Sequence, residues 1–326
     1  MKTLDYHENI LSLIGHTPLV KLSRIGANLK PIILCKLEFL NPGGSIKDRI
    51  GISMLMDAEK RGKISKGGTM VEPSSGNTGV GLAIACIIMG YKLVVTMPDK
   101  MSLEKKRLLE AYGATVVVCP SDRRPGDPEQ YISVAHRISE EMPNSIMPNQ
   151  YENKVNPDTH YHTTGKEIWE QTDGKITHFV CGIGTGGTIT GVGRYLKDHN
   201  QKVRIVGVDP EGSVYYDFFN QNKDSVARQY KIEGIGEDFI PKTVDLSIID
   251  KVVKVSDREA YQMARKLARE EALLGGSSSG AAVAGALKIA EDLSKNDLVV
   301  TILPDRGDRY LTKLYDDEWM KSQGFL

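Results

Sequence analysis

Asn41-Pro42-Gly43-Gly44-Ser45-Ile46-Lys47-Asp48-Arg49 sets one lysine at the mouth of a glycine-rich turn that opens onto a helix. A lysine so placed can be a covalent anchor. Its amine can condense with an aldehyde cofactor, and burial lowers the ammonium pKa enough to make a working nucleophile and base. Taken alone, Gly-Gly-Ser-Ile-Lys reads equally well as an ordinary helix cap. The segments that accompany it decide between the two.

Glu72-Pro73-Ser74-Ser75-Gly76-Asn77-Thr78-Gly79 follows an apolar run at Met70-Val71 and precedes a helical pattern over 80–89. Hydroxyls and backbone amides thus crowd one helix start, a setting that suits a carboxylate. Gly184-Thr185-Gly186-Gly187-Thr188 stands between strand-like His178-Phe179-Val180-Cys181 and an amphipathic stretch over 189–196, a nest of amides aimed at a phosphate. Leu274-Gly275-Gly276-Ser277-Ser278-Ser279-Gly280 repeats the idea before a helix over 281–293. One chain carries three polar helix starts plus the lysine.

Together these segments resemble the fold-type II enzymes that use pyridoxal 5'-phosphate, the β-family that includes cysteine synthase, cystathionine β-synthase and tryptophan synthase β. The resemblance runs from about Glu8 to Leu326. Within the family the chain is most similar to the catalytic core of the cystathionine β-synthases, through Val208-Asp209-Pro210-Glu211-Gly212-Ser213, Glu233-Gly234-Ile235-Gly236-Glu237-Asp238-Phe239-Ile240-Pro241 and Trp319-Met320 through Gly324-Phe325-Leu326. Asp127-Pro128-Glu129 with Val134-Ala135-His136-Arg137 fits the same branch. Two departures stand out. Glu237 takes a place where the animal enzyme has tyrosine, and Arg306-Gly307-Asp308-Arg309-Tyr310-Leu311 resembles a cysteine synthase ending.

The resemblance assigns roles. Lys47 holds the cofactor and, once displaced by an amino acid, removes its α-proton; Asn77 bonds the phenolic oxygen of the ring; Gly184, Thr185, Gly186, Gly187 and Thr188 hold the phosphate. Ser278 faces the pyridine nitrogen with a neutral hydroxyl, which makes the ring a weaker electron sink than an aspartate would and favours β-elimination. Ser277 or Ser279 could serve equally as the helix cap. Ser74, Ser75, Gly76, Thr78 and Gln150 grip the substrate carboxylate, and Gly234 and Glu237 line the substrate side. The implied reaction joins L-serine and L-homocysteine into L-cystathionine and water, with hydrogen sulfide from cysteine as a side reaction. O-acetylserine sulfhydrylase is the alternative. A non-catalytic binding relative is a further one, whose cheapest signature, loss of the lysine, is not seen.

Composition agrees with an enzyme of small molecules. The 326 residues are 40% hydrophobic and 26% charged, enough for about two domains with cores of their own. Lysine plus arginine equals aspartate plus glutamate at 42 each, so no net field favours nucleic acid or an anionic membrane. Small amino-acid and thiol substrates are the expected partners. No apolar run approaches the roughly 20 residues needed to cross a bilayer, and Met1 to His7 carries no signal-peptide core, so a cytoplasmic setting is expected. Cys35, Cys86, Cys119 and Cys181 lie far apart in apolar settings and read as buried reduced thiols. The haem-binding extension and the C-terminal regulatory domains of animal cystathionine β-synthase have no counterpart in the sequence, so neither haem nor adenosylmethionine control is expected. His160-Tyr161-His162 has a metal-like spacing but sits at a helix entry beside Asn156-Pro157-Asp158, and no metal is expected.

Apolar runs at 32–37, 69–72, 92–97, 115–119, 178–181, 204–209 and 298–303 read as strands, and 48–61, 102–112, 129–141, 158–171 and 257–273 as helices. Continuous apolar strands alternating with helices predict α/β architecture with mostly parallel sheets covered on both faces. The resemblance implies two three-layer αβα domains of the tryptophan synthase β type. The larger, cofactor-binding one spans 1–40 and 153–326; the smaller, 41–152, is mobile and closes over substrate. A homodimer is also implied.

Overall fold

The computed structural model describes residues 4–74, 76–99, 101, 103–124, 126–221 and 226–326. Its strands are β1 (Leu19–Lys21), β2 (Ile32–Leu37), β3 (Thr69–Pro73), β4 (Lys92–Pro98), β5 (Thr115–Cys119), β6 (Ser145–Ile146), β7 (His178–Gly182), β8 (Arg204–Pro210), β9 (Lys251–Val255) and β10 (Leu298–Leu303). Its α-helices are α1 (Lys47–Lys60), α2 (Asn77–Met89), α3 (Leu103–Ala111), α4 (Tyr131–Glu141), α5 (Val155–His160), α6 (Lys166–Gln171), α7 (Gly187–His199), α8 (Tyr215–Gln221), α9 (Asp257–Glu271), α10 (Ser277–Ala290) and α11 (Asp317–Ser322).

The chain divides into two compact units. One holds residues 4–16 and 41–155 around a sheet of order β5-β4-β3-β6, in which every pairing is parallel. The other holds 17–40 and 156–326 around a six-stranded sheet of order β1-β2-β10-β7-β8-β9, parallel except where β1 runs against β2. Continuous burial of β3 and of all but the first residue of β4, β8 and β10 is what a parallel sheet covered on both faces requires.

Residues 4–16 fall with the smaller unit, whereas the sequence assigns all of 1–40 to the larger. Their allegiance rests on contacts that a linear reading does not display. Leu11 packs on the apolar cluster around Ile50, Met54 and Leu82, and Gly15 N–H donates to Asn41 Oδ1 at 2.8 Å. The expected helix over 158–171 is also interrupted: α5 passes into a π-helical turn, Tyr161–Gly165, before α6.

Helices take their ends from local chemistry. In α9 the Ser256 hydroxyl accepts from Glu259 N–H while Glu259 Oε2 accepts from Ser256 N–H, a reciprocal capping box. Gln130 caps α4 and Asp316 caps α11 through their side chains. By contrast α2, apolar on nearly all sides and buried from Thr78 to Cys86, receives no side-chain bond from its N-cap Gly76. The same holds for α7 at Gly186 and α10 at Gly276. The carboxyl-terminal residues pack on α9, with the Trp319 ring stacked 5.5 Å from Tyr261 and Gln262 Nε2 donating to Phe325 O. All four cysteines are buried and unbridged.

Candidate active site

The glycine-rich turn before α1 is tied by its own aspartate: Asp48 Oδ2 accepts from Gly43 N–H at 2.5 Å, and Ser45 Oγ accepts from Lys47 N–H at 3.2 Å. Lys47 is therefore the first residue of α1. Helices α1 and α2 meet backbone to backbone. A Cβ added at Gly81 would lie 2.6 Å from Lys47 O, and one at Gly51 would overlap the Gly81 peptide. Small residues at both positions thus fix the start of α1 against α2, whose first residue is Asn77.

Around the start of α2, hydroxyl polarity is set by neighbours. Ser74 Oγ accepts from Gly76 N–H at 3.4 Å and Gly79 N–H at 3.2 Å, which leaves its proton to give. Thr78 Oγ1 donates to Gln150 Oε1 at 2.8 Å, so the amide nitrogen is the end of Gln150 with protons to offer a carboxylate. Ser75 lies outside the described residues. Beneath this cluster sits Glu72, 1% exposed, whose carboxylate oxygens make no hydrogen bond of good geometry among the described residues. Burial pushes its carboxyl up to about 8, with the Asn149 and Gln150 backbone and the Lys47 charge pulling more weakly the other way. The motif reading passed over Glu72 as mere flank; its signal was a lone acid ending an otherwise apolar strand.

In the larger unit β7 delivers the chain into Gly184 to Thr188 at the carboxyl end of a parallel sheet, where open α/β folds bind ligands. Gly186 adopts φ +81°, a conformation that side chains disfavour, and a Cβ on Gly184 would stand 2.7 Å from Gly234 O. The carbonyls that would repel an anion are turned to donors: Tyr215 Oη donates to Gly184 O at 2.6 Å, and Thr243 Oγ1 to Thr185 O at 2.5 Å. With carbonyls occupied and α7 lacking a side-chain cap, the loop presents amides and hydroxyls, as a phosphate requires. The residues present fit the phosphate of pyridoxal 5'-phosphate.

Gly234 also approaches Ser278, since a Cβ at Gly234 would lie 3.8 Å from the Ser278 hydroxyl. The loop, Gly234 and Ser278 thus come together within this unit. Ser278 is 3% exposed, and its neighbour Ser277 is already engaged, accepting from Glu233 N–H at 3.0 Å. The turn into α10 is braced from behind: Tyr315 Oη donates to Gly275 O at 2.6 Å, and Asp305 O accepts from Gly276 N–H. Glu237 sits three residues past Gly234 with its backbone N–H on Ser213 Oγ at 3.0 Å and its carbonyl accepting from Val214 N–H. That anchors the loop that follows Gly234. Sequence reasoning did not find Tyr215, Thr243 or Tyr315, because each reaches the loops from distant sequence. Among the described residues no three histidine, cysteine, aspartate or glutamate side chains gather as a metal site would need.

Comparison with known proteins agrees with this geometry. The chain is 48% identical over 320 residues to a cystathionine beta-synthase of Apis mellifera, covering 98% of this chain and 63% of that protein. It is 47% identical to the Oryctolagus cuniculus enzyme of the same name, covering 58% of it, and 43% identical to that of Saccharomyces cerevisiae, covering 64%. The chain thus spans about three fifths of the length of these relatives. A solved structure of a hydrogen sulfide-producing enzyme from Fusobacterium nucleatum superposes with a TM-score of 0.87 at 34% identity, over 94% of this chain and 99% of that one. The pyridoxal-phosphate dependent enzyme family matches residues 10–305. A lysine behind a glycine turn, an anion loop with its carbonyls tied back and a match along nearly the whole chain lead to one conclusion: the chain belongs to the pyridoxal-phosphate dependent enzymes.

Proposed function

We propose that this enzyme carries out β-replacement, joining L-serine and L-homocysteine into L-cystathionine and water. The observation that carries the substrate choice is 43–48% identity to cystathionine beta-synthases of three distant organisms along 97–98% of the chain. Bound here, pyridoxal 5'-phosphate supplies the electron-withdrawing ring that makes the α-proton of an amino acid acidic. The chain's own residues do the rest. Gly184 to Thr188 hold the phosphate, Asn77 and Ser278 orient the ring, and Ser74, Ser75, Gly76, Thr78 and Gln150 hold the substrate carboxylate. Gly234 and Glu237 flank the thiol.

Lys47 takes the α-proton of serine and then gives a proton to the departing hydroxyl. That help is needed, because water is a poor leaving group, with a pKa of about 15.7 against roughly 4 for a carboxylic acid such as acetic. In the same reading the protein works in the cytoplasm as a homodimer. Among the described residues no helix is long and apolar enough to cross a membrane.

Hydrogen sulfide production, the named activity of the Fusobacterium relative, favours a second reading in which cysteine is the donor, and use of sulfide with O-acetylserine is the alternative to the first. One experiment separates them. The enzyme is offered equal serine and O-acetylserine carrying different isotopes, with homocysteine and sulfide both present, and products are weighed by mass spectrometry. Dominant cystathionine drawn from serine is the expected result; dominant cysteine from O-acetylserine makes the enzyme a cysteine synthase. Replacing Glu237 with alanine and Asp238 with glycine should lower the homocysteine preference, and an unchanged ratio removes both from thiol selection.

A further inference from the structure

Helix α5 ends against the anion loop, and two of its buried side chains, four residues apart and hence on one face, each meet a threonine of that loop. Asn156 Nδ2 donates to Thr185 Oγ1 at 3.1 Å. His160 Nε2 stands 3.2 Å from Thr188 Oγ1, while its Nδ1 stands 2.9 Å from Thr164 Oγ1 in the π-helical turn. Asn156, His160 and Thr164 are all 0% exposed. The fit of α5 on α7 is close: a Cβ at Gly191 would overlap Pro157 O and lie 2.7 Å from His160 Cβ. The ring is thereby held in register with the loop, and the π turn keeps Thr164 beneath it.

A threonine hydroxyl has one proton to give. When its oxygen receives a hydrogen bond from behind, that proton stays available in front; when the proton is spent behind, only lone pairs face a ligand. Asn156 settles the matter for Thr185 by donating to it. The same logic applied to Thr188 requires hydrogen on His160 Nε2, which in the neutral ring means that Nδ1 accepts from Thr164. We infer that Asn156 and His160 are positioning residues that hold the Thr185 and Thr188 hydroxyls as donors toward a bound phosphate group, His160 doing so through an Nε2–H relayed from Thr164. The inference rests on the reading of this loop as the phosphate site. It gives His160 a role outside metal binding, and it gives the π-helical turn a purpose, since such turns gather at functional sites.

The test uses the holoenzyme. In the ¹⁵N spectrum of its histidine side chains, assigned by loss of one ring in His160→Gln, His160 should carry hydrogen on Nε2. His160→Leu should release pyridoxal 5'-phosphate at least about tenfold faster, as expected for a hydrogen bond feeding a charged group. His160→Gln, which places an amide N–H near the Nε2 position, should stay within about threefold of the parent. In a Thr188→Val background, His160→Leu should add little, because the hydroxyl it served is gone. A bare Nε2, equal release from the leucine and glutamine variants, or fully additive effects would each overturn the inference. A ³¹P resonance of the parent holoenzyme identical to that of free cofactor would instead overturn the reading of the loop, and the inference with it.

Discussion

Glu72 shows how much a single carboxyl can write into the behaviour of a protein. Its acid is lifted by burial to about 8, well above the value it takes in an unfolded chain. Between about pH 4 and 8 the folded chain therefore keeps a proton that the unfolded chain has given up, and stability falls as pH rises through that window. In the apoprotein, Glu72→Gln should match the parent near pH 4 and exceed it increasingly up to pH 8, by at most about 5 kcal/mol, in denaturant titrations across pH. A gap that does not change with pH would mean that Glu72 is ionised throughout. Lys47, Asn77 and the Gly184 to Thr188 loop were legible in the sequence as candidates because their chemistry is concentrated in short motifs. Asn156 and His160 were not, because a hydrogen bond from one side chain to another twenty-eight or twenty-nine positions on leaves no local signature.

Elements place those residues, and the pair α1 and α2 does so with little slack. Gly81→Ala would press a methyl into Lys47 O, so it should cost about 1–3 kcal/mol and leave Lys47 displaced relative to Asn77. Guanidinium unfolding reads the first effect and cofactor occupancy of the purified protein the second. Wild-type occupancy in a destabilised variant would mean that α1 shifts without carrying Lys47. Most strands were legible as apolar runs, and α1 as a helix over 48–61. What escaped had weak or mixed patterns: β1 is three residues long and half-exposed, and β9 mixes two lysines among three valines without strict alternation. The uniform helix expected over 158–171 failed because π-helical turns carry no period of their own in sequence. The starts of α2, α7 and α10 lay a few residues earlier than the apolar patterns suggested, since their first turns are the polar motifs themselves.

At the scale of the whole molecule, cofactor binding and folding are one equilibrium. A ligand held only by the folded chain adds about 2.7 kcal/mol at a hundred times its dissociation constant. With the tied-back loop of the larger unit read as the phosphate site, pyridoxal 5'-phosphate should raise the melting temperature clearly more than pyridoxal at equal concentration, in scanning calorimetry. Equal shifts would show that the loop adds nothing to cofactor affinity. The four cysteines bear on the chemistry in a different way. All are buried, and burial raises the thiols of Cys35, Cys86 and Cys119, that of Cys86 to about 12. Exchange with disulfides and capture of oxidised sulfur both need an accessible thiolate, and the protein offers none. Under the proposed reaction the protein is thus a bystander in its own sulfur pool: homocysteine or sulfide would not mark it, and its output would not feed back on it through its own thiols.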